Sequence, residues 1–349
     1  MKKELLLATA LASTVGMAGF AEAASVSYSG HTRVGVEGEN PDSASDETVA
    51  SHQKNNFNVS ISETTDGGTK IATGFTLTDE GAAESDASGL TLTFTDGSSL
   101  QLIEAGSASG AHDVSVPGAG GEQGIANTST NNSASGLTIG HGNDTVGFDY
   151  ATAADAFGID GFSANVSASF NSDVATTSGT GATVTVENSY AVGVTYVTTA
   201  GDSTVTIGAG YHGTDYNNAT ATTDGSAYHV GATVVTGDLT VGAGFADGDW
   251  VSDIRQMSGS YASAGAKYVS GDITFNIGMS AGDGIDESLG TSATSAEDSI
   301  DTVGASIDYT IASGVTGTVG YTQADSKDEG TDVETASGSA WYVGATVSF

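Results

Sequence analysis

Eight basic residues are set against 43 acidic ones in this 349-residue chain, so the spacing of the bases carries more information than the number of acids. Arg33 alternates with Val34 and Val36, Lys54 and Lys70 share the parity of the polar positions in 54–60 and 70–76, and Lys267 stands between Ala266 and Tyr268. Successive side chains of a strand point to opposite faces, which assigns all four bases to wet faces. As solvated charges they would neutralise neighbours such as Glu37 and Glu63. The acids crowd into polar stretches: Glu37, Glu39, Asp42, Asp46 and Glu47 in one, Asp283, Asp286 and Glu287 in another, Asp325, Asp328 and Glu329 in a third. Asp247-Gly248-Asp249 and Asp283-Gly284-Ile285-Asp286-Glu287 cluster carboxylate oxygens of the kind Ca²⁺ or Mg²⁺ takes. Neither has EF-hand spacing, and solvated acids are the competing reading; calcium at Asp247 and Asp249 is at most an optional ligand, and no cofactor is required.

The remaining reactive residue types point away from covalent chemistry. His31, His52, His112, His141, His212 and His229 show no metal-ligand spacing, and no nucleophile elbow, zinc-protease, Walker or dinucleotide glycine motif occurs. With 0 Cys there is no disulfide framework and no thiolate site. No enzymatic activity is expected. A formal net charge of -35 without a basic patch repels nucleic acid, because nothing displaces counterions from phosphates. What these side chains can do is bias the local concentration of small ions.

The elements that would position them are strands. The chain has 50 Gly, 2 Pro and a hydrophobic fraction of 38%, with Thr, Val, Ser and Tyr dominating the ordered-looking runs. Residues 1–23 read as a cleaved signal peptide: Lys2 and Lys3, an apolar stretch 5–20, then Ala21-Glu22-Ala23 as the cleavage pattern. Residues 24–349 form one domain. Strict polar–apolar alternation recurs in 25–36, 57–62, 70–77, 90–94, 100–102, 146–150, 162–170, 184–196, 205–211, 228–234, 239–245, 261–268, 273–279, 303–309, 315–321 and 341–349. These are sixteen candidate strands.

Their connections alternate in length. Short turns such as Thr65-Asp66-Gly67-Gly68, Gly201-Asp202, Gly237-Asp238 and Gly271-Asp272 are hairpin turns, whereas 37–52, 79–89, 212–225, 247–259, 282–299 and 323–338 read as long polar loops. Short turns on one side and long loops on the other predict an antiparallel up-and-down transmembrane β-barrel in an outer membrane. Gly193, Thr195, Gly208, Gly242, Gly278 and Thr346 on the non-apolar face are too small to fill a core and suit a water-filled lumen. Phe94, Tyr150, Tyr196, Tyr268 and Tyr309 close strands before short turns; Phe170, Tyr211, Phe245 and Tyr321 close strands before long loops. Two aromatic bands of this kind mark the two membrane–water interfaces.

The final strand, Trp341-Tyr342-Val343-Gly344-Ala345-Thr346-Val347-Ser348-Phe349, ends on an aromatic residue as outer-membrane barrels do, and Ser29-Gly30-His31-Thr32-Arg33-Val34-Gly35-Val36 is similar to the opening strand of the general porins of Gram-negative bacteria, the alphaproteobacterial type above all. The resemblance implies a sixteen-stranded homotrimer, embedded in outer-membrane lipid, whose third long loop folds into the lumen and narrows it for small hydrophilic solutes and ions. The matching segment is 105–143, with Asp113 and Glu122 as its acids and Glu104 at its base; Val116-Pro117-Gly118 is a faint echo of the tighter Pro-Glu-Phe-Gly turn of enteric members. The family sets bases on the wall opposite such acids. Arg33 matches the first-strand basic position, and Lys54 and Lys70 would extend it.

Carboxylates around the outer mouth, with Glu37, Glu39, Asp283, Asp286 and Glu287 prominent, predict cation selectivity. Two alternatives carry different expectations. An acidic surface-layer or adhesive β protein would show the Gly-Gly-x-Gly-x-Asp calcium repeat, which is absent. A barrel with a plugged lumen, acting as a structural anchor, would conduct nothing.

Overall fold

The structure is a computed structural model that describes residues 24–41, 48–78, 84–102, 107–118, 147–177, 183–218, 222–252, 255–288, 296–328, 333–334 and 337–349. The expected leader, 1–23, lies outside the described residues.

The strands are β1 (Ser25–Pro41), β2 (Thr48–Thr64), β3 (Lys70–Thr78), β4 (Glu84–Thr93), β5 (Ser99–Leu102), β6 (Gly147–Ala151), β7 (Phe162–Thr177), β8 (Thr183–Ala200) and β9 (Ser203–Asn218). They continue as β10 (Thr222–Thr236), β11 (Leu239–Ser252), β12 (Arg255–Ser270), β13 (Ile273–Ser288), β14 (Ala296–Ala312), β15 (Val315–Asp328), β16 (Val333–Glu334) and β17 (Gly338–Ser348). From β1 to β15 each pairs antiparallel with its neighbour in sequence, and β17 pairs both with β15 and with β1, from His31↔Ser348 to Pro41↔Gly338. The two-residue β16 pairs only with β15, in line with β17, so the closed ring has sixteen staves. Closure removes both sheet edges, the only way a sheet can satisfy its backbone in hydrocarbon.

The sidedness is inside-out relative to a soluble protein. Val192 is 47% exposed, Ile277 50% and Val319 55%, all on outward parity, while the inward Ser167, Ser189, Thr214 and Thr322 are each 1% exposed. An apolar exterior and a small polar interior match a barrel in lipid. The short turns follow from glycine: Gly201, Gly237 and Gly271 have φ of 63°, 55° and 60°, the left-handed conformation that a two-residue hairpin needs at its first position. At the Asp96 turn a side chain does the same work, since Ser98 donates both its backbone N–H (2.9 Å) and its hydroxyl (2.7 Å) to Asp96 Oδ1.

Most of what reads as long loop is strand. β11 and β12 stay in register from Leu239↔Tyr268 up to Ser252↔Arg255, and β12 and β13 up to Arg255↔Ser288. Tyr211, Phe245 and Tyr321 consequently lie within β9, β11 and β15 rather than closing them, and all three face outward. The physical reason is that alternation reports the contrast between lipid and lumen. Above the aromatic band both faces meet water, so the ladder continues through Gly, Asp and Thr without an apolar signature.

Candidate functional site

The lumen carries two features on opposite walls. The first is the seam where β1, β2 and β17 meet. Arg33 is directly opposite Lys54 on β2 and Thr346 on β17, and its Nε donates to Thr346 Oγ1 at 3.2 Å. Four residues along the strand, Glu37 Oε2 lies 3.2 Å from His52 Nδ1. The His52 ring packs edge-on against Tyr342 at 5.6 Å. Tyr342 is 2% exposed because it lies flat over Gly35 and Gly344, where any side chain would overlap its ring. Inward parity thus assembles Arg33, Lys54, Glu37, His52 and Tyr342 on one patch of wall.

The second is residues 107–118 of the long β5–β6 connection. This segment lies against the inward faces of β7 to β12. The Ala108 N–H donates to Ser167 Oγ on β7 at 2.9 Å. A short 3-10 turn, Gly110–His112, then brings His112 between two strands. Its Nε2–H donates to Asn165 Oδ1 on β7 at 3.0 Å, and its Nδ1 pairs with the Thr195 hydroxyl on β8 at 2.6 Å. Asn165 in turn donates to Asp149 Oδ1 on β6 at 2.9 Å, which fixes the amide orientation and with it the imidazole tautomer. On β10, His229 Nε2–H donates to the Ser109 carbonyl at 2.9 Å, with Nδ1 4.0 Å from Asp113 Oδ1. Burial holds the His112 imidazole below its ordinary range; the Asn165 bond opposes that and a charge on His229 reinforces it.

Close approach of the segment depends on what the wall lacks. A Cβ on Gly193 would overlap the Ala108 carbonyl and the His112 ring, and one on Gly208 would overlap the His112 carbonyl and Val114. Gly242 and Gly265 give Pro117 the same clearance on β11 and β12. Val114 and Val116 are buried at 6% and 1% exposure, Val116 contributing roughly 1.5–2 kcal/mol of burial. These glycines, readable from sequence only as small lumen residues, are the seat of a packed segment.

The predicted site residues divide accordingly. Arg33 and Lys54 stand together, and Asp113 sits on the seated segment. β9 is eight staves from β1 in a ring of sixteen, so the Arg33–Lys54 patch and the seat of Asp113 are on opposite sides of the ring. Lys70 does not join them: it is opposite Thr64, ten residues down β2 from Lys54, about 33 Å along the strand. Lys267 has inward parity on β12, opposite Asn276 of β13, whose amide donates to Asp308 at 2.8 Å. Glu104 and Glu122 lie outside the described residues.

Glu37 and Glu39 are on β1 with inward parity rather than on a loop. Asp283, Asp286 and Glu287 are on β13, Asp283 with the outward parity of Met279. Asp247 and Asp249 are on β11 with the outward parity of Phe245, and no group of three or more His, Asp or Glu able to hold a metal occurs among the described residues.

Sequence reasoning missed His112, His229, Asp149, Asn165 and Tyr342. The local signal for the two histidines is slight, one in a bland Gly/Ser/Ala stretch and the other an ordinary polar position on a strand.

A profile of the family described as Gram-negative porin matches residues 8–330. No curated protein matches the chain in sequence. Among solved structures, the chain is similar to the anion-selective porin from Comamonas acidovorans, with 14% identity over 93% of this chain and 100% of that one at a TM-score of 0.64. The outer membrane channel DcaP of Acinetobacter baumannii matches at 13% identity over 95% and 100% with a TM-score of 0.64. OmpT of Vibrio cholerae in its trimer form matches at 14% identity over 94% and 100% with a TM-score of 0.59.

Proposed function

The chain belongs to the Gram-negative porins, outer-membrane channels, and from that premise we propose that it is a passive, cation-preferring diffusion channel for small hydrophilic solutes and ions, assembled as a homotrimer. The observation that carries the reading is the pairing of an apolar exterior with a polar lumen, in which a seated segment bearing Asp113 lies on the opposite side of the ring from Arg33 and Lys54. Fixed opposite charges across a narrow bore impose a transverse field on whatever passes, and a low-dielectric wall focuses it. Residues 107–118 are the side of the constriction that narrows the bore, and Arg33 and Lys54 the opposing side.

Cation preference is supported by the net charge of -35 and by inward Glu37 and Glu39 along the β1 wall. The fold is shared with an anion-selective porin from Comamonas acidovorans, so the fold alone does not set the sign of selectivity. Reversal potentials of the purified protein in a potassium chloride gradient test this: a cation-directed potential that shrinks as salt rises is expected, and an anion-directed one refutes it. A bilayer with no discrete channels would favour the plugged barrel. The trimer form of OmpT supports the assembly, which an unheated SDS gel tests by a slow band collapsing on boiling. Export uses residues 1–23, so the mature protein is expected to begin at Ala24 on amino-terminal sequencing.

A further inference from the structure

We infer that His229 is a proton-dependent latch that fastens residues 107–118 to the lumen wall, closing on Asp113 when the imidazole is charged. This deepens the channel reading and rests on it for its functional consequence.

Nε2 of His229 must carry a hydrogen, because its partner, the Ser109 carbonyl, can only accept. In the neutral ring Nδ1 is then a bare lone pair. It makes no hydrogen bond, the side chain is 3% exposed, and the nearest carboxylate oxygen, Asp113 Oδ1, is 4.0 Å away. A buried acceptor turned toward an anion is an uncompensated arrangement. Adding a proton at Nδ1 places an N–H 4.0 Å from a carboxylate oxygen, opposite charges that a small shift of Asp113 brings into a charge-assisted contact, while the Ser109 bond persists. Both partners of the imidazole, Ser109 and Asp113, belong to the same segment, so the proton tightens a grip already in place.

The other charged and titratable groups around it allow this order of events. From the segment itself come Asp113 and His112. His112 is satisfied while neutral and is discouraged from charging by burial and by a charge on His229. β9 contributes His212, bonded to Thr214 at 2.9 Å, while opposite His229 itself stand Gly210 on β9 and Ala246 on β11. Tyr261 on β12 lies near Asp113, and Asp149 acts only through Asn165. Histidine as a residue type changes charge between pH 5 and 8, so the test spans that range.

Amide hydrogen exchange of the detergent-folded protein, read by mass spectrometry on peptides spanning 107–118 and corrected for intrinsic chemical exchange, tests the latch. Protection is expected to rise on the order of tenfold from pH 7.5 to pH 5.0, the scale of one hydrogen bond to a charged group. His229→Gln, which cannot take the proton, and Asp113→Asn, which keeps His229 but removes its anion, are both expected to flatten that rise. Equal protection at the two pH values in the native protein, or a native-sized rise in a folded His229→Gln or Asp113→Asn protein, overturns the inference. Bilayer conductance is recorded on the same preparation. Silent bilayers with an intact pH-dependent rise would retire the channel reading and leave the latch, whereas conducting bilayers with flat protection would do the reverse.

Discussion

Placing a single methyl group on the lumen wall should unseat the constriction. Gly193 on β8 lies beneath His112, and a Cβ there would sit 2.6 Å from His112 Cδ2, as well as overlapping the Ala108 carbonyl. Ordinary van der Waals contact begins at 3.4 Å, so Gly193→Ala requires the ring to retreat by 0.8 Å (3.4 − 2.6). A retreat of that size away from Asn165 would stretch that contact from 3.0 to 3.8 Å, beyond hydrogen-bond reach, while the same motion cannot also lengthen the Thr195 contact on the other ring nitrogen. At about 1 kcal/mol net for the bond lost, the seat loses about 1 kcal/mol, roughly a fivefold rise in the detached population. Single-channel recordings should therefore show more frequent current fluctuations and a lower mean conductance, because the displaced segment moves into the bore. Gly282→Ala is the control: Gly282 is on inward parity in β13, but its nearest neighbour would be 3.4 Å from the new carbon. If Gly193→Ala and Gly282→Ala record alike, in both noise and exclusion of neutral sugars, the seat does not position the segment and the reasoning fails.

Three further outcomes follow from the same structure. Arg33→Gln with Lys54→Gln removes both bases from the β1–β2 wall, so the cation-to-anion permeability ratio from reversal potentials should increase; a decrease contradicts their placement in the ion path. Deleting Phe349 removes the paired Gly30 N–H to Phe349 carbonyl (3.1 Å) and Phe349 N–H to Gly30 carbonyl (3.0 Å) bonds, about 1 kcal/mol each, along with a ring 6.2 Å from Phe57; less heat-modifiable barrel on an SDS gel is expected. Hydrogen bonds from Ser98 hold the Asp96 carboxyl below its ordinary value, so its contribution to stability is present above about pH 3.9 and is lost as the pH falls through the lowered folded value. The melting difference between the native protein and Asp96→Ala should thus persist to about pH 3.9 and close below it; a difference unchanged in stronger acid refutes the assignment.

The ring was legible in the sequence because lipid on one side and water on the other impose a period of two on every stave. Each of the sixteen alternating runs overlaps one stave of the ring, from 25–36 with β1 to 341–349 with β17. Legibility stops where that contrast stops. The upper parts of β11, β12 and β13 read as loops, since strands wetted on both faces carry no alternation to detect. The parity of Arg33 and Lys54 was readable, but the displacement of Lys70 was not, because parity gives the face and says nothing of height along it. The seat was hidden for another reason. Gly193 and Gly208 are small in a wide lumen and small under a packed segment alike, and only long-range placement of 107–118 tells the two apart.

The seam has a consequence for how the molecule comes into being. Arg33 on the first stave donates to Thr346 on the last, a separation of 313 residues, so the ring has no partial closed form. A ribosome or an export pore delivers β1 long before the strand that must lie beside it exists. Until Phe349 arrives, any partly built sheet carries two open edges able to recruit other chains, and contacts of such long range form slowly. The finished protein therefore owes its existence to being kept unfolded in transit and closed late, by its own last strand, inside the membrane that makes the open edges intolerable.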